Sequence, residues 1–374
     1  MFQAKRISTS ILIALVAVSI GISTLAEAVP NYYPKEYNKV IEASRSEKGL
    51  LIYSAMAADN WKPILAAFHK YYPWIEIKTL DMGGELFQRF IAESESGIST
   101  ADFIATLQPT GWARFLKEKR GLHYLSPETA YLPKWGSRQD TVYSFSADPA
   151  IMVWNTKVMP AETVPKGLAD LADKIQKKPD FFRGKLTSYG DTSTFGMFGT
   201  WGLSRHHGEK FWTWLDIIGP ATRPEQTGGA QLEKLLSGEY MMSFSTSIIT
   251  LATSAVRKAG KLLGWKYVED GNIVLQRGMA IPHKTPNANS AKLLLDFILS
   301  QEGQMAMTKG NFTAYRSDAA EKIPEPHLHL ERLVKLIGEK NVILVGWDPE
   351  YGDEAKFKAV RERWRQAYFG KGKK

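Results

Sequence analysis

The amino-acid sequence predicts an α/β protein of two doubly wound α/β lobes joined by a two-segment hinge. Three observations carry that reading. Between Leu50 and Arg120 the chain repeats a strand–turn–helix unit three times, the order that gives a mostly parallel sheet covered by helices on both faces. A second block of alternating strands and helices runs from Trp154 to about Gly271. Two extended segments, Thr141–Val153 and Asn272–Ile281, bracket that block. The second block is therefore inserted in the first domain, and two crossings side by side make a hinge. The first lobe is expected to comprise residues 29–146 plus 277–374, and the second residues 147–276.

Residues 1–28 read as an export signal. Lys5 and Arg6 make a short basic region, Ile11–Ile22 an apolar core, and Ala26-Glu27-Ala28 the small-x-small form that signal peptidase cleaves, placing the mature N-terminus at Val29. The apolar run is too short for a spanning helix, and no later segment has the roughly 18 apolar residues that one needs. An uncleaved membrane anchor is the competing reading. No cysteine follows the apolar core, so a lipid anchor on cysteine is excluded.

The first lobe opens with a helix over about 34–47. Leu50-Leu51-Ile52-Tyr53 is a short buried strand, and Asn60 can cap a helix that Pro73 stops. Ile75–Leu80 is the next strand, Met82-Gly83-Gly84 a turn, and Glu85–Ser94 a helix. Ala101–Leu107 is the third strand, and Gln108-Pro109-Thr110-Gly111 leads into a helix ending near Arg120. Pro149 lies inside the first crossing segment, where a central ladder tolerates proline poorly. The second lobe reads as helices at 168–177, from Thr194, at 208–218 and at 230–236, with strands at 185–188 and 240–244. A last helix, Lys356–Tyr368, carries Phe357, Val360, Trp364 and Tyr368 at spacings of three and four, an apolar stripe for packing on the surface.

Zero cysteines exclude disulfides, thiolate catalysis and Cys-ligated metals. The formal charge of +9 invites a nucleic-acid reading. The Lys and Arg residues are instead mixed with Glu and Asp, as in KEYNKVIEASRSEK, and the only dense run is the tail Lys371, Lys373, Lys374. No nucleic-acid partner is expected, and a basic surface favours anionic solutes.

In doubly wound sheets, ligands bind outside the carboxyl ends of the strands. From the first lobe this rule selects Tyr53 and Ser54, Gly83 and Gly84, and Gln108 and Thr110. From the second it selects Asp191, Thr192, Ser193 and Thr194, and the pair Ser245 and Thr246. The run Gly190-Asp191-Thr192-Ser193-Thr194 is the most informative. Several of its side chains can cap the helix that follows, and exposed N–H groups with short hydroxyls at a helix start suit a carboxylate, phosphate or phosphonate. The other reading of the run is an ordinary capping turn.

The stretch Gly278–Asp318 opens with a short apolar strand that stops at Pro282. A polar turn follows, then a helix with Ala291, Leu294, Leu295, Ile298 and Leu299 on one face, and Tyr315-Arg316-Ser317-Asp318 closes the stretch. This order resembles the C-terminal part of the extracellular solute-binding proteins of bacterial ABC importers, in the branch that holds ferric-iron, polyamine and phosphonate binders. The resemblance spans about Gly49–Asp318, through diffuse motifs. It implies a periplasmic-binding-protein-like type II fold and closure around one small-molecule solute. It also implies a periplasmic location and delivery to ABC permease subunits driven by a separate ATPase; a monomer without cofactor is expected. Arg316 is the nearest cation in this block, either for the ligand or for an ion pair.

The sequence departs from the ferric-iron binders. Those carry adjacent tyrosines shortly after a Gly-Glu turn; here Gly238-Glu239 is followed by YMMSFSTSIITLATS, with Ser245-Thr246-Ser247 near the expected pair. Tyr32-Tyr33 and Tyr71-Tyr72 lie elsewhere, and His206-His207 point about 100° apart on a helix, so no metal site is expected. A ferric binder nevertheless stays an alternative within the family. The alternative from another class is an exported hydrolase, but G-x-S-x-G, H-E-x-x-H and G-x-x-x-x-G-K-[ST] are absent. Nine aromatics near the candidate loops, among them Trp112, Phe145, Trp154, Phe195 and Phe244, leave open an organic solute with an apolar body.

Overall fold

In the computed structural model, which describes residues 29–98, 100–254 and 262–370, the first lobe starts with the helix α1 (Tyr37–Ser44). The export signal and the basic tail Lys371–Lys374 lie outside the described residues. Then follow β1 (Leu50–Ser54), α2 (Ala58–Phe68), β2 (Ile77–Asp81), α3 (Leu86–Glu95), β3 (Phe103–Thr106) and α4 (Pro109–Lys117). β1 pairs in parallel with both β2 and β3. Its residues are apolar without alternation because helices cover both of its faces. Ile52 joins Trp61, Phe68, Phe103 and Met279 on one face, and Tyr53 joins Phe90, Ile104 and Trp112 on the other. Asn60 does not cap α2: it lies inside the helix, and its amide donates to the Gly310 carbonyl (2.8 Å).

After the two-residue strand β4 (Ser137–Arg138) comes the long crossing strand β5 (Val142–Asn155). The second lobe adds α5 (Leu168–Lys177), α6 (Pro179–Phe182), β6 (Leu186–Tyr189), α7 (Thr194–His207), α8 (Glu209–Ile218), β7 (Thr222–Glu225), α9 (Gly228–Ser237), β8 (Met242–Ser247), α10 (Ile248–Ser254) and β9 (Leu263–Lys266). β10 (Asn272–Ala280) then returns to the first lobe and pairs antiparallel with β3 and β5. The strand order is β2-β1-β3-β10-β5-β8-β6-β7. Pro149 faces Val274 at the edge of the β10 ladder, and the next residue, Ala150, faces Ser247 of β8. A residue without an N–H is accommodated where the strand changes partners. Gly278 is needed where β10 passes under α4, since a Cβ there would lie 2.6 Å from the Trp112 ring.

The remaining elements are α11 (Ala288–Leu299), α12 (Gln301–Lys309), α13 (Leu330–Ile337), β11 (Val342–Val345) and α14 (Glu354–Phe369). α11 buries Ala291, Leu294, Leu295, Ile298 and Leu299 in the first-lobe core, so the spacing read from the sequence faces inward. α14, expected with the first lobe, lies on the second. Trp364, Ala367 and Tyr368 join its core beside Phe211, Leu215 and Ile218. The Tyr368 hydroxyl meets Ser188 Oγ at 2.7 Å. Gly219 lets the helix close in: a Cβ there would stand 2.5 Å from the Ala367 carbonyl oxygen.

Candidate functional site

The carboxyl ends of β1, β2 and β3 carry the first-lobe loops, and those of β6 and β8 carry the second-lobe loops. Leu107, just after β3, and Phe195, in the first turn of α7, both pack against one hinge cluster containing Ala150, Ile273 and Leu275. A loop residue of each lobe thus packs on the cluster at the crossing strands, and the candidate cleft is placed there.

Several of the first-lobe side chains selected from the sequence turn inward. Tyr53 is buried and donates its hydroxyl to Glu93 Oε2 on α3 at 2.7 Å, away from the cleft. Ser54 is buried and accepts from Trp61 Nε1 (3.0 Å), which pins the start of α2. Gln108 donates to the Gly83 carbonyl at 2.8 Å and ties two loops together. Gly83 and Gly84 are exposed, and Thr110 is half-buried in the first turn of α4.

In the second lobe the side chains divide differently. Asp191 takes Arg365 of α14 at 2.6 Å, so its charge is already paired. Thr192 bonds to Gln226 across the turn. Ser193 is the cap of α7, its Oγ accepting from the Gly196 N–H at 3.3 Å. Neither Asp191 nor Thr192 caps the helix. Thr194 is the first helical residue and half-buried. The helix start has no intrahelical acceptors for its first N–H groups and carries partial positive charge. Ser245 and Thr246, expected beyond the strand, lie inside β8, which runs on to Ser247; Thr246 is buried in a network with Ser243 (2.7 Å) and Gln231 (2.6 Å), and Ser245 is half-buried. Of the second-lobe set, Ser193, Thr194 and Ser245 are half-buried, and Ser245 lines a cavity inside the second lobe with Phe211, Leu215, Trp364 and Tyr368.

The nine aromatics do not line the cleft as a group. Tyr53, Trp112, Phe145, Tyr189, Phe198, Trp201 and Phe244 are buried, and Trp154 and Phe195 half-buried. Arg316 is also internal: it pairs with Glu128 and, at 2.6 Å, with Asp318. Tyr32 and Tyr33 both donate to Glu128, at 2.9 and 2.6 Å.

The phenols of the second lobe are engaged as well. Tyr240 donates to Glu225 Oε1 at 2.8 Å beside Lys234, and the Tyr189 oxygen accepts the Ser247 N–H at 3.2 Å. Burial pushes both phenols up, Tyr189 to about 12, which disfavours the phenolate a ferric ion requires. Among the described residues no group of three or more His, Asp or Glu side chains is placed to hold a metal.

Two residues that the sequence reading missed stand at the hinge. Arg277 of β10 and Asp148 of β5 approach to 3.8 Å between Nε and Oδ2. A signal was present, since Arg277 is the one charge in the run NIVLQRGMAI.

A sequence-family model described as bacterial extracellular solute-binding protein matches residues 64–327. Among solved structures, the chain is similar to the substrate-binding protein of the ABC transporter from Agrobacterium tumefaciens (TM-score 0.74, 20% identity, covering 88% of this chain and 96% of that one). It is similar to iron-bound HitA from Pseudomonas aeruginosa (0.68, 17%, 84% and 99%). It also resembles the periplasmic binding protein AfuA from Actinobacillus pleuropneumoniae, with fructose-6-phosphate bound (0.67, 18%, 86% and 99%). At these identities the likeness establishes the two-lobed type II fold. A search of curated protein sequences finds no significant match.

Proposed function

Since the chain belongs to the bacterial extracellular solute-binding protein family, whose members bind small solutes and work with ABC permease subunits, we propose that it captures a small anionic organic solute between its lobes and delivers it to such a permease. The observation that carries the anionic class is the start of α7. Ser193 caps the helix after the carboxyl end of β6, Thr194 follows, the first turn has N–H groups without intrahelical acceptors, and Phe195 of that turn packs against the same cluster as Leu107 of the first lobe. AfuA, of the same fold, is described with a sugar phosphate bound, a solute of this chemical class. An iron cargo finds less support, because Ser245 and Thr246 stand where phenolates would be needed and Tyr240 is held by Glu225. Catalysis finds less support: among the candidate residues Asp191 is paired with Arg365, and Ser193 Oγ accepts from the helix start.

The proposal includes export by cleavage before Val29 and action as a monomer in the periplasm. It is tested by a thermal-shift screen of the mature chain with organic acids, sugar phosphates, phosphonates, polyamines and ferric citrate. A ligand at 100 times its Kd contributes about 2.7 kcal/mol, which raises Tm by several degrees. Stabilisation by a member of the anionic group is the expected result, and stabilisation by polyamines alone, or by ferric citrate without stabilisation by citrate, refutes it. An exported product whose mass starts before Val29 refutes the processing.

A further inference from the structure

We propose that Arg277 is the cation that receives the acid group of the solute, at the hinge end of the cleft. The inference rests on the anionic class proposed above and names the charge that selects it.

The position follows from register. β10 leaves β3 at the pair Gly278–Thr106. Arg277 is the next residue toward the second lobe, so it stands just beyond the carboxyl end of β3, where doubly wound sheets bind ligands. The β10–β5 ladder shifts register between Arg277 and Gly278, and such bulges re-aim a side chain. Leu107, beside this point, and Phe195, beside the α7 start, share the same hinge cluster. In the proposed arrangement the acid group is met by Arg277 from the crossing strand, with the α7 N-terminus as the second-lobe partner.

The guanidinium is incompletely satisfied. Its Nε is buried without a hydrogen-bond partner. The approach to Asp148 Oδ2, 3.8 Å, is beyond hydrogen-bond length. Asp148 is committed elsewhere: Oδ2 accepts from Ser146 Oγ at 2.5 Å and Oδ1 from the Thr313 N–H at 3.0 Å. A structural Arg–carboxylate pair closes to a short, often bidentate contact, and a buried donor left unmade is costly. Only 12% of the Arg277 side chain is exposed, and its guanidinium carbon lies 5.6 Å from the Phe312 ring centroid. The site therefore offers a desolvated planar cation with an unfilled donor, which fits a carboxylate, phosphate or phosphonate. Burial lowers the Arg277 pKa, yet arginine stays protonated in proteins.

The test is calorimetric titration of inorganic phosphate, methylphosphonate and succinate, with spermidine and glucose as controls. It uses the mature chain and its Arg277→Met, Arg277→Lys, Asp148→Asn and Ser193→Gly variants. Wild type is expected to take at least one anion. Arg277→Met should bind it at least tenfold more weakly, with Arg277→Lys between the two. Asp148→Asn keeps an oxygen for the Thr313 N–H and removes the nearer of the two carboxylates that act on Arg277, Asp81 being the other, so the anion should bind several-fold more tightly. A hinge latch that never touches solute predicts lower Tm in these variants with unchanged affinity, and that result overturns the proposal. A wild type that takes none of the anions overturns it too. Loss in Ser193→Gly with full affinity in Arg277→Met refutes Arg277 and leaves the α7 site standing; the reverse pattern refutes the α7 site alone. If Arg277→Met does not fold, the Lys and Asn variants decide.

Discussion

Ser193 is placed to do two jobs that can be separated by two substitutions. Its Oγ accepts the Gly196 N–H, and a hydroxyl that accepts still has its own proton to donate to an acid group. Ser193→Ala removes both functions. Loss of an N-cap hydroxyl to alanine costs about 1 kcal/mol, whereas glycine at that position costs only a few tenths. Asp191 is held by Arg365 and Thr192 by Gln226, so neither neighbour is free to replace the cap. At roughly 2–4 °C per kcal/mol for a lobe of this size, the alanine variant should melt about 2–4 °C lower and the glycine variant by less than about 1 °C. Both lose the donor to the ligand. A hydrogen bond to a charged group is worth about 1.5–3 kcal/mol, so both should bind the acid-bearing solute about tenfold or more weakly. Scanning calorimetry reads the first effect, and titration of the anion found in the solute screen reads the second. Wild-type affinity in both variants would reduce the turn to a capping turn. Equal loss of Tm in both would show that the Gly196 bond, which neither variant can make, outweighs the tolerance of a cap position for glycine.

Three other outcomes follow from the same structure. Asp296 is buried beneath Tyr37, Tyr124 and Ser126, and burial raises its pKa to about 7. The folded chain then holds a proton that the unfolded chain releases near pH 4, so stability should fall as pH rises from about 4 to 7, by about 4 kcal/mol, and level off above. Asp296→Asn should flatten that slope in a Tm-versus-pH series, and an unchanged slope would assign it to other groups. Ferric citrate should produce no visible phenolate-to-iron band; a band that disappears in Tyr240→Phe would show that the Glu225 contact yields to metal. Trp364→Ala should cost about 3–5 kcal/mol, as for a buried aromatic, lowering the melting temperature of the second lobe by more than about 6 °C. A change under about 1 °C would mean that α14 merely rests on that lobe.

Much of the fold was legible because its signals are local. The three repeats from Leu50 to Lys117, the helix at Leu168–Lys177 and the two crossing strands all announce themselves by period, composition or a breaker such as Pro73 or Pro282. The strands at Thr222–Glu225, Leu263–Lys266 and Val342–Val345 were not read, being short and, in the first case, interrupted by Pro224. They are strands because β6, β5 and β10 offer them partners, and a partner is not a local property.

The candidate site divides along the same line. The sequence alone placed the strand ends to within about three residues, hence the turns around the candidate cleft, and it carried the family resemblance; it stopped β8 at Phe244, short of its end at Ser247. It could not determine which side chains in those turns are free. Tyr53 and Thr246 turn inward because Glu93 and Gln231, distant in sequence, take up their hydroxyls inside the lobes. Asp191 is neutralised by Arg365 across 174 positions, and Arg277 stands by Asp148 on the other crossing strand. Such pairings depend on distances that only the folded chain sets. A residue's type shows what it can bond, but its free valences are decided by the neighbours that tertiary packing brings to it.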